Sequence, residues 1–302
     1  MEKQAIKNKL SEIITIDKIR FDEPMKNHIS FKVGGPADFL VLPENCDEFK
    51  EILKCCRENA ISFYVMGNGS NLLVRDKGYR GVIIKMRHFD HIFVEDDTII
   101  AEPGALLKDV AQKALENNLS GMEFASGIPG SLGGAAVMNA GAYDGEMKDI
   151  IESIEVITDK GEEKKLLINE CCMSYRTSLV QEKGWYITKV NLRLRKGDYN
   201  IIREKMDDLN GRRSEKQPLE YPSAGSTFRR PEGFFAGKLV QDCGFKGYIL
   251  GGAQVSEKHS GFVINKNNAT AADIINLIEI IQKKVKADFG VDMHTEVIMI
   301  GE

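Results

Sequence analysis

No uninterrupted apolar segment in this 302-residue chain approaches the ~20 residues of a membrane-spanning helix, so no membrane association is expected. The opening Met1-Glu2-Lys3-Gln4 runs into mixed charge without the apolar core of a secretory signal, and the expected location is cytoplasmic. The six cysteines (Cys46, Cys55, Cys56, Cys171, Cys172 and Cys243) form no C-x-x-C pair and no framework spacing; they read as reduced thiols of a cytosolic protein. Five histidines supply only one close pair, His88-x-x-His91, and nothing nearby completes a ligand set, so no metal is expected. The net charge of −4 gives no reason to expect nucleic acid. Arg212-Arg213 and Arg229-Arg230 are short, local clusters that suit a phosphorylated small molecule better than a duplex. There is no internal repeat or low-complexity tract, and nothing points to an obligatory protein partner.

Glycine, by contrast, is plentiful and clustered. Between Ala125 and Asp144 the chain is almost entirely glycine, alanine, serine and other small residues, too small-sided to build a core alone. Gly67-Asn68-Gly69-Ser70-Asn71 has the same character and follows the apolar stretch Ile61 to Met66. Either loop alone reads as a tight turn. Together, with Gly34-Gly35-Pro36 before them and Glu102-Pro103-Gly104 between, they suggest a dinucleotide, because successive N–H groups in a turn form a concavity for a pyrophosphate. A Rossmann site is excluded: Gly67-x-Gly69-x-x-Leu72 lacks the third glycine, and a turn rather than a helix follows. No G-x-x-x-x-G-K-[ST] sequence is present, which excludes a P-loop.

The pattern predicts a helix and arm over residues 1–28, with Leu10, Ile13 and Ile14 on one face, then short strands separated by glycine turns. Phe49, Ile52, Leu53 and Cys56 mark a helix over 46–59, packed on strands at 38–42 and 61–66; Leu106, Leu107, Val110, Ala114 and Leu115 mark another over 105–117. Strands are expected at 151–158, 164–167 and 186–194, the last half-buried through its alternation. Composition shifts at Lys196-Gly197-Asp198, giving expected domains at 29–197 and 198–302. Beyond lie a charged helix from Ile201 to about Arg213, a proline-bearing loop, and a long helix capped by Thr270 with Asp273. A strand at 296–300 closes the chain.

Ordered motifs then carry a family resemblance over nearly the whole chain from Ile29. Lys32-Val33-Gly34-Gly35-Pro36-Ala37, Gly67-Asn68-Gly69-Ser70-Asn71-Leu72-Leu73 and Gly127-Ile128-Pro129-Gly130-Ser131-Leu132-Gly133-Gly134 resemble the flavin-binding half of the UDP-N-acetylenolpyruvoylglucosamine reductase (MurB) family. The resemblance continues through Ser174-Tyr175-Arg176-Thr177-Ser178, Ala224-Gly225-Ser226-Thr227-Phe228, Ala236-Gly237-Lys238-Leu239, Gly251-Gly252-Ala253-Gln254-Val255 and His294-Thr295-Glu296-Val297. It implies an α+β fold: a two-lobed FAD-binding domain of the vanillyl-alcohol-oxidase (PCMH) type, followed by a smaller α/β substrate-binding domain. It also implies FAD as bound cofactor, held by Gly67, Asn68, Gly69, Ser70, Asn71, Gly104, Gly130, Ser131, Gly133 and Gly134.

The reaction so implied is that of UDP-N-acetylmuramate dehydrogenase. NADPH passes a hydride to FAD and departs; UDP-N-acetylglucosamine enolpyruvate then receives hydride from the reduced flavin and becomes UDP-N-acetylmuramate, for peptidoglycan. Charge developing beside the carboxylate must be stabilised and quenched. By resemblance Arg176 offers its guanidinium fork to the carboxylate, Glu296 donates a hydrogen bond to the enolate, and Ser226 supplies the proton. Tyr175, Arg212, Lys216, Arg229 and His259 match substrate-contacting positions, although His259 equally suits a turn. Outside their motifs these residue types read as a surface ion pair, a turn serine and a solvated glutamate.

Only 50 positions separate Arg176 from Ser226, which leaves no room for the tyrosine-bearing insertion of one branch; the chain resembles the shorter branch. Asn68 stands where glycine is common, Ser223 where asparagine is, and Arg229 where lysine is; some relatives carry cysteine at position 226. Two other readings use the same loops: an FAD-dependent oxidase or dehydrogenase with another substrate, and a non-catalytic flavin-binding module. The latter has no reason to keep Arg176, Ser226 and Glu296 in their motifs.

Overall fold

The structure, a computed structural model, describes residues 2–302. Packing divides the chain into two units, and neither is continuous in sequence. The first comprises the N-terminal stretch through Phe21, Phe39–Asn68 and Gly81–Arg213; the second comprises Asp22–Asp38, Gly69–Arg80 and Ser214–Glu302. This division runs differently from the contiguous domains 29–197 and 198–302 expected from composition. Composition registers a change of residue type along the chain, whereas the early segments 22–38 and 69–80 are too short to shift it.

Two separate apolar cores organise the first unit, as a two-lobed domain requires. One lobe is built on a helix, Cys46–Glu58, whose Phe49, Ile52, Leu53 and Cys56 pack with Phe39, Val41, Val82 and Ile84. Asn45 starts this helix by accepting the Glu48 N–H at 2.9 Å, and its strand Phe63–Met66 runs parallel to Tyr79–Lys85. Fully burying such a leucine or phenylalanine is worth about 1.5–3 kcal/mol, so this one face anchors the lobe.

The other lobe is a five-stranded antiparallel sheet in the order Glu163–Leu167, Ile151–Ile157, Tyr186–Arg193, Thr98–Ala101 and Ile92–Glu95. The helix Leu107–Glu116 buries Leu107, Val110, Ala111, Ala114 and Leu115 in its core, and the short helix Leu132–Val137 joins it. Tyr186–Arg193 departs from the half-buried expectation. As the central strand it is covered on both faces, with Ile187, Thr188, Val190, Asn191 and Leu192 all buried. Asn191 meets that burial by donating from Nδ2 to Ser153 Oγ at 3.0 Å.

In the second unit an antiparallel meander, Ile249–Leu250, Ala253–Val255 and Val263–Asn265, packs with the long helix Ala271–Phe289. The helix buries Ile274, Leu277, Ile278, Ile281 and Val285. Thr270 and Asp273 form the expected capping box, and Gly290 at a φ of 70° ends the helix. Asp76 adds a cap from far upstream, its carboxylate accepting from the Ala271 and Ala272 N–H groups at 2.8 Å each. The closing strand, Ile298–Ile300, pairs in parallel with Leu72–Val74. Among the described residues no helix is long and apolar enough to cross a membrane.

Candidate active site

In the first unit the two glycine loops meet. A side chain at Gly67 would collide with Ser131 Oγ, so glycine at 67 and the buried serine at 131 are a matched pair. Asn68 Nδ2 donates to Pro129 O at 2.6 Å and stitches the loops together. Two amides at the start of the Leu132–Val137 helix are spent internally: Leu132 N–H donates to Ala105 O (2.8 Å) and Gly133 N–H to Pro103 O (2.9 Å). The Gly134 N–H, on an exposed residue, and the Asn68 N–H donate to no described group. The result is a pair of backbone loops packed directly on each other at Gly67 and Ser131, with two amide N–H groups left without a described acceptor. It fits a flavin nucleotide.

Other glycines of the set support these loops from behind. Gly130 O accepts the Leu107 N–H (3.0 Å), and a Cβ on Gly133 would lie 2.6 Å from Pro103 Cβ. Gly104 is buried, its N–H bonded to Phe89 O at 2.8 Å, and a side chain there would strike Met86 O.

Arg176 occupies a turn closed by reciprocal Ser174 and Thr177 backbone bonds (3.1 and 3.2 Å), at a left-handed φ of 56°. Its Nη2 donates to Gly141 O at 3.3 Å, and its guanidinium carbon lies 5.0 Å from the centre of the half-exposed Tyr175 ring. Asn139, fully buried, holds this turn: Nδ2 donates to Ser174 O (3.1 Å) and to Glu146 Oε2 (2.6 Å), while Oδ1 accepts the Lys148 N–H (2.9 Å). Ser178 Oγ donates to Val137 O at 2.5 Å. Sequence reasoning missed Asn139; its signal is an amide side chain in the middle of an alanine-glycine run.

The charged helix runs Tyr199–Lys216, longer than expected, because Asp198 caps it by accepting the Asn200 and Ile201 N–H groups. Arg212 is exposed and paired with Asp208, 2.9 Å from Nη2 to Oδ2. Its neighbour Arg213 is half-buried, and burial pulls its pKa below the ordinary arginine range.

In the second unit Ser226 and Glu296 lie on two segments clamped together. Phe228 and Thr295 form an antiparallel bridge, Glu296 N–H donates to Thr227 O (2.9 Å), and Arg229 N–H donates to His294 O (2.9 Å). Ser226 therefore sits one residue from Glu296's direct backbone partner. It is exposed, and it follows Gly225, whose φ of 76° turns the chain there. Thr227 is the clamp that sequence reasoning overlooked: buried, its N–H donates to Gly261 O (2.8 Å) and its Oγ1 accepts the Val263 N–H (2.9 Å).

Gly69 and Asn71 serve this unit too. Gly69 O accepts the Ser30 N–H (3.1 Å), Asn71 Nδ2 donates to Glu296 O (3.0 Å), and Asn71 O accepts the Ile298 N–H (3.1 Å). Ser70 lies half-buried between them. Lys216 and Arg229 are exposed. His259 Nδ1 accepts the Gly261 N–H at 3.0 Å, and its ring stands edge-on to Phe262. Burial lowers its pKa, so the imidazole is neutral at pH 7 and completes the turn.

Fold and site together define a flavoprotein: an FAD-binding fold of the vanillyl-alcohol-oxidase (PCMH) type joined to a smaller C-terminal domain. The family profile described as "FAD binding domain" matches residues 37–166, and that described as "UDP-N-acetylenolpyruvoylglucosamine reductase, C-terminal domain" matches 217–300. A UDP-N-acetylenolpyruvoylglucosamine reductase of Clostridium perfringens is 54% identical over 292 residues, covering 97% of this chain and 96% of the relative. One from Caldanaerobacter subterraneus is 52% identical over 299 residues, covering 99% of each. The crystal structure of the Thermus caldophilus UDP-N-acetylenolpyruvylglucosamine reductase (MurB) superimposes with a TM-score of 0.79 at 32% identity, over 94% of this chain and 98% of that one. An alkyldihydroxyacetonephosphate synthase shares the fold alone, with a TM-score of 0.51 at 17% identity over 65% of this chain and 41% of its own. The chain belongs to the UDP-N-acetylenolpyruvoylglucosamine reductase (MurB) family.

Proposed function

We propose that this protein catalyses the NADPH-dependent reduction of UDP-N-acetylglucosamine enolpyruvate to UDP-N-acetylmuramate in the cytoplasm. The observation that carries the reading is the 54% identity over 97% of the chain to a reductase of that name. The six free thiols agree with a reducing compartment. FAD, when bound, supplies the two-electron relay between NADPH and the sugar nucleotide. The cradle of Gly67, Asn68, Ser131 and Gly134 would hold it, with Gly104, Gly130 and Gly133 backing the loops, while Gly69, Ser70 and Asn71 continue the first loop.

The chain's own residues manage charge and proton. Arg176 presents a planar donor fork to the enolpyruvyl carboxylate, and Tyr175 and Asn139 fix its direction. Ser226, exposed on a glycine turn, donates a proton to the carbon beside the carboxylate. Glu296, in its protonated form, donates a hydrogen bond to the developing enolate, and its backbone is pinned by Thr227 and Asn71. Lys216 and Arg229 offer exposed cations to the diphosphate, with Arg212 and His259 at the margin. Along the sequence, 29–197 is proposed as the FAD-binding domain in two lobes and 198–302 as the substrate-binding domain.

Anaerobic stopped-flow absorbance tests this reading. Flavin bleached by NADPH should recover its oxidised band on mixing with UDP-N-acetylglucosamine enolpyruvate, with UDP-N-acetylmuramate formed. Flavin that stays reduced until oxygen is admitted would overturn it in favour of an oxidase.

A further inference from the structure

Arg176 is held at its backbone and at its guanidinium, and both holds run back to one carboxylate. Glu146 is half-buried in the antiparallel hairpin Gly141–Ala142 and Gly145–Glu146, where it is the direct partner of Gly141. A Cβ built on Gly141 would come within 2.9 Å of Glu146 Cβ and 2.7 Å of Gly145 O, so the two strands meet with no room for a side chain between them. Gly141 O is the acceptor that Arg176 Nη2 reaches at 3.3 Å. The second hold passes through a side chain. Glu146 Oε2 accepts from Nδ2 of the fully buried Asn139 at 2.6 Å, and the same Nδ2 donates at 3.1 Å to Ser174 O, in the turn that carries the Arg176 backbone.

Donors crowd this carboxylate. Its Oε1 pairs with Lys148 Nζ at 2.5 Å, and the side chain also accepts the Asp149 N–H, while Asp149 Oδ2 accepts the Glu146 N–H at 3.0 Å in a capping box. An ammonium, the Asn139 amide and a backbone N–H thus converge on two oxygens. A carboxylate meets that demand, whereas a carboxamide has one acceptor oxygen and brings two hydrogens of its own. The hairpin so held is strained at its tip, where Tyr143 and Asp144 take left-handed φ angles of 51° and 64°. The rungs below the tip keep it closed, and Glu146 with Gly141 forms the outer one.

We propose that Glu146 is a positioning residue for Arg176: by tying Asn139 and Gly141 together it fixes the turn and the guanidinium in one arrangement, and so sets how well the fork meets the enolpyruvyl carboxylate while charge develops beside it. This rests on the reductase reading above, in which Arg176 receives that carboxylate. Glu146 acts through Asn139 and Gly141. A guanidinium displaced by a fraction of an ångström still attracts an anion but no longer matches two oxygens at once, so the loss falls on the second half-reaction.

The test is a double-mutant cycle on the holoprotein, with Glu146→Ala, Glu146→Gln and Arg176→Met as single variants and each Glu146 change combined with Arg176→Met. Flavin reduction by NADPH and flavin reoxidation by UDP-N-acetylglucosamine enolpyruvate are timed separately by anaerobic stopped flow. Glu146→Ala should slow reoxidation about ten- to a hundredfold and leave reduction within about twofold of wild type. Glu146→Gln, which keeps one acceptor oxygen, should fall between Glu146→Ala and wild type. In both double variants reoxidation should be no slower than in Arg176→Met alone, because a residue that acts through Arg176 then has nothing left to position. Should Glu146→Ala fail to fold, Glu146→Gln takes its place in the cycle and is read in the same way.

Reoxidation within about twofold of wild type in the Glu146 variants would overturn the proposal. So would losses that multiply in the double variants, or equal slowing of both half-reactions with a lowered thermal midpoint, each of which marks a role in the fold independent of Arg176. Arg176→Met at the wild-type rate would remove the residue being positioned and the proposal with it. None of these results touches the reductase reading, which fails only if the wild-type flavin is not reoxidised by the sugar nucleotide.

Discussion

Arg176 keeps a side chain at a backbone angle that costs a non-glycine residue of order 1–3 kcal/mol. Arg176→Gly should therefore leave the thermal midpoint at or above wild type while turnover of the enolpyruvyl substrate falls by about a hundredfold or more, with flavin reduction by NADPH intact. A variant that loses both half-reactions equally would show the turn to be structural. Ser226→Ala should slow reoxidation of the flavin by the sugar nucleotide about 10²–10⁴-fold, the usual weight of a placed proton donor, and wild-type reoxidation would remove its assigned role. His259 makes a prediction of opposite kind. Its burial lowers its pKa from the ordinary 6.5, so the unfolded chain takes up its proton first as pH falls. The stability it contributes is complete above pH 6.5 and is lost below it. His259→Gln, which keeps an acceptor for the Gly261 N–H, should show less loss of thermal midpoint between pH 7 and 5 than wild type.

Helix starts and apolar faces were the elements most legible in the chain. Cys46–Glu58 and Ala271–Phe289 fall where periodicity and the Thr270/Asp273 pair place them, because those determinants are local. The glycine loops were legible for the same reason. Asp76 was not, since its cap on Ala271 and Ala272 is made across a sequence distance of 195 and more. Tyr186–Arg193 was half legible: alternation gives the strand, but only its central place in the sheet buries its second face. The Arg212-Arg213 cluster was half legible: the charges are plain in the sequence, but only the helix shows that Arg212 is exposed and Arg213 half-buried.

Thr270→Ala should cost about 1 kcal/mol in denaturant unfolding, the usual loss of an N-cap. Asp273 has its pKa held below 3.8, chiefly by the Thr270 N–H, so its share of the cap is complete above that pH and is lost as pH falls through the lowered value. Asp273→Ala should thus cost stability at pH 7 and progressively less as pH falls through that lowered value, whereas the cost of Thr270→Ala, whose hydroxyl oxygen accepts the Asp273 N–H, should stay the same.

At the scale of the molecule, the second unit depends on pieces distant in sequence. Its closing strand needs Leu72–Val74, its long helix needs Asp76, and Asn265 Nδ2 donates to Phe31 O at 3.1 Å. A fragment beginning at Ser214 should therefore lack cooperative thermal unfolding and near-ultraviolet dichroism even though it contains the whole matched region 217–300. Adding peptides spanning 22–38 and 69–80 in trans should restore some of that signal.

The same interleaving sets an order of events on the ribosome. Phe31 and the strand Leu72–Val74 leave the exit tunnel early, while the residues that cover them, from Ser214 onward, are still unwritten. At about 5–20 residues per second, several seconds pass with an unpaired strand edge and an apolar segment facing solvent. The first unit has its last residue, Arg213, before the second has most of its own. Nascent chains of this protein should be clients of trigger-type holding chaperones chiefly in that interval, and slow codons placed after residue 213 should lengthen it.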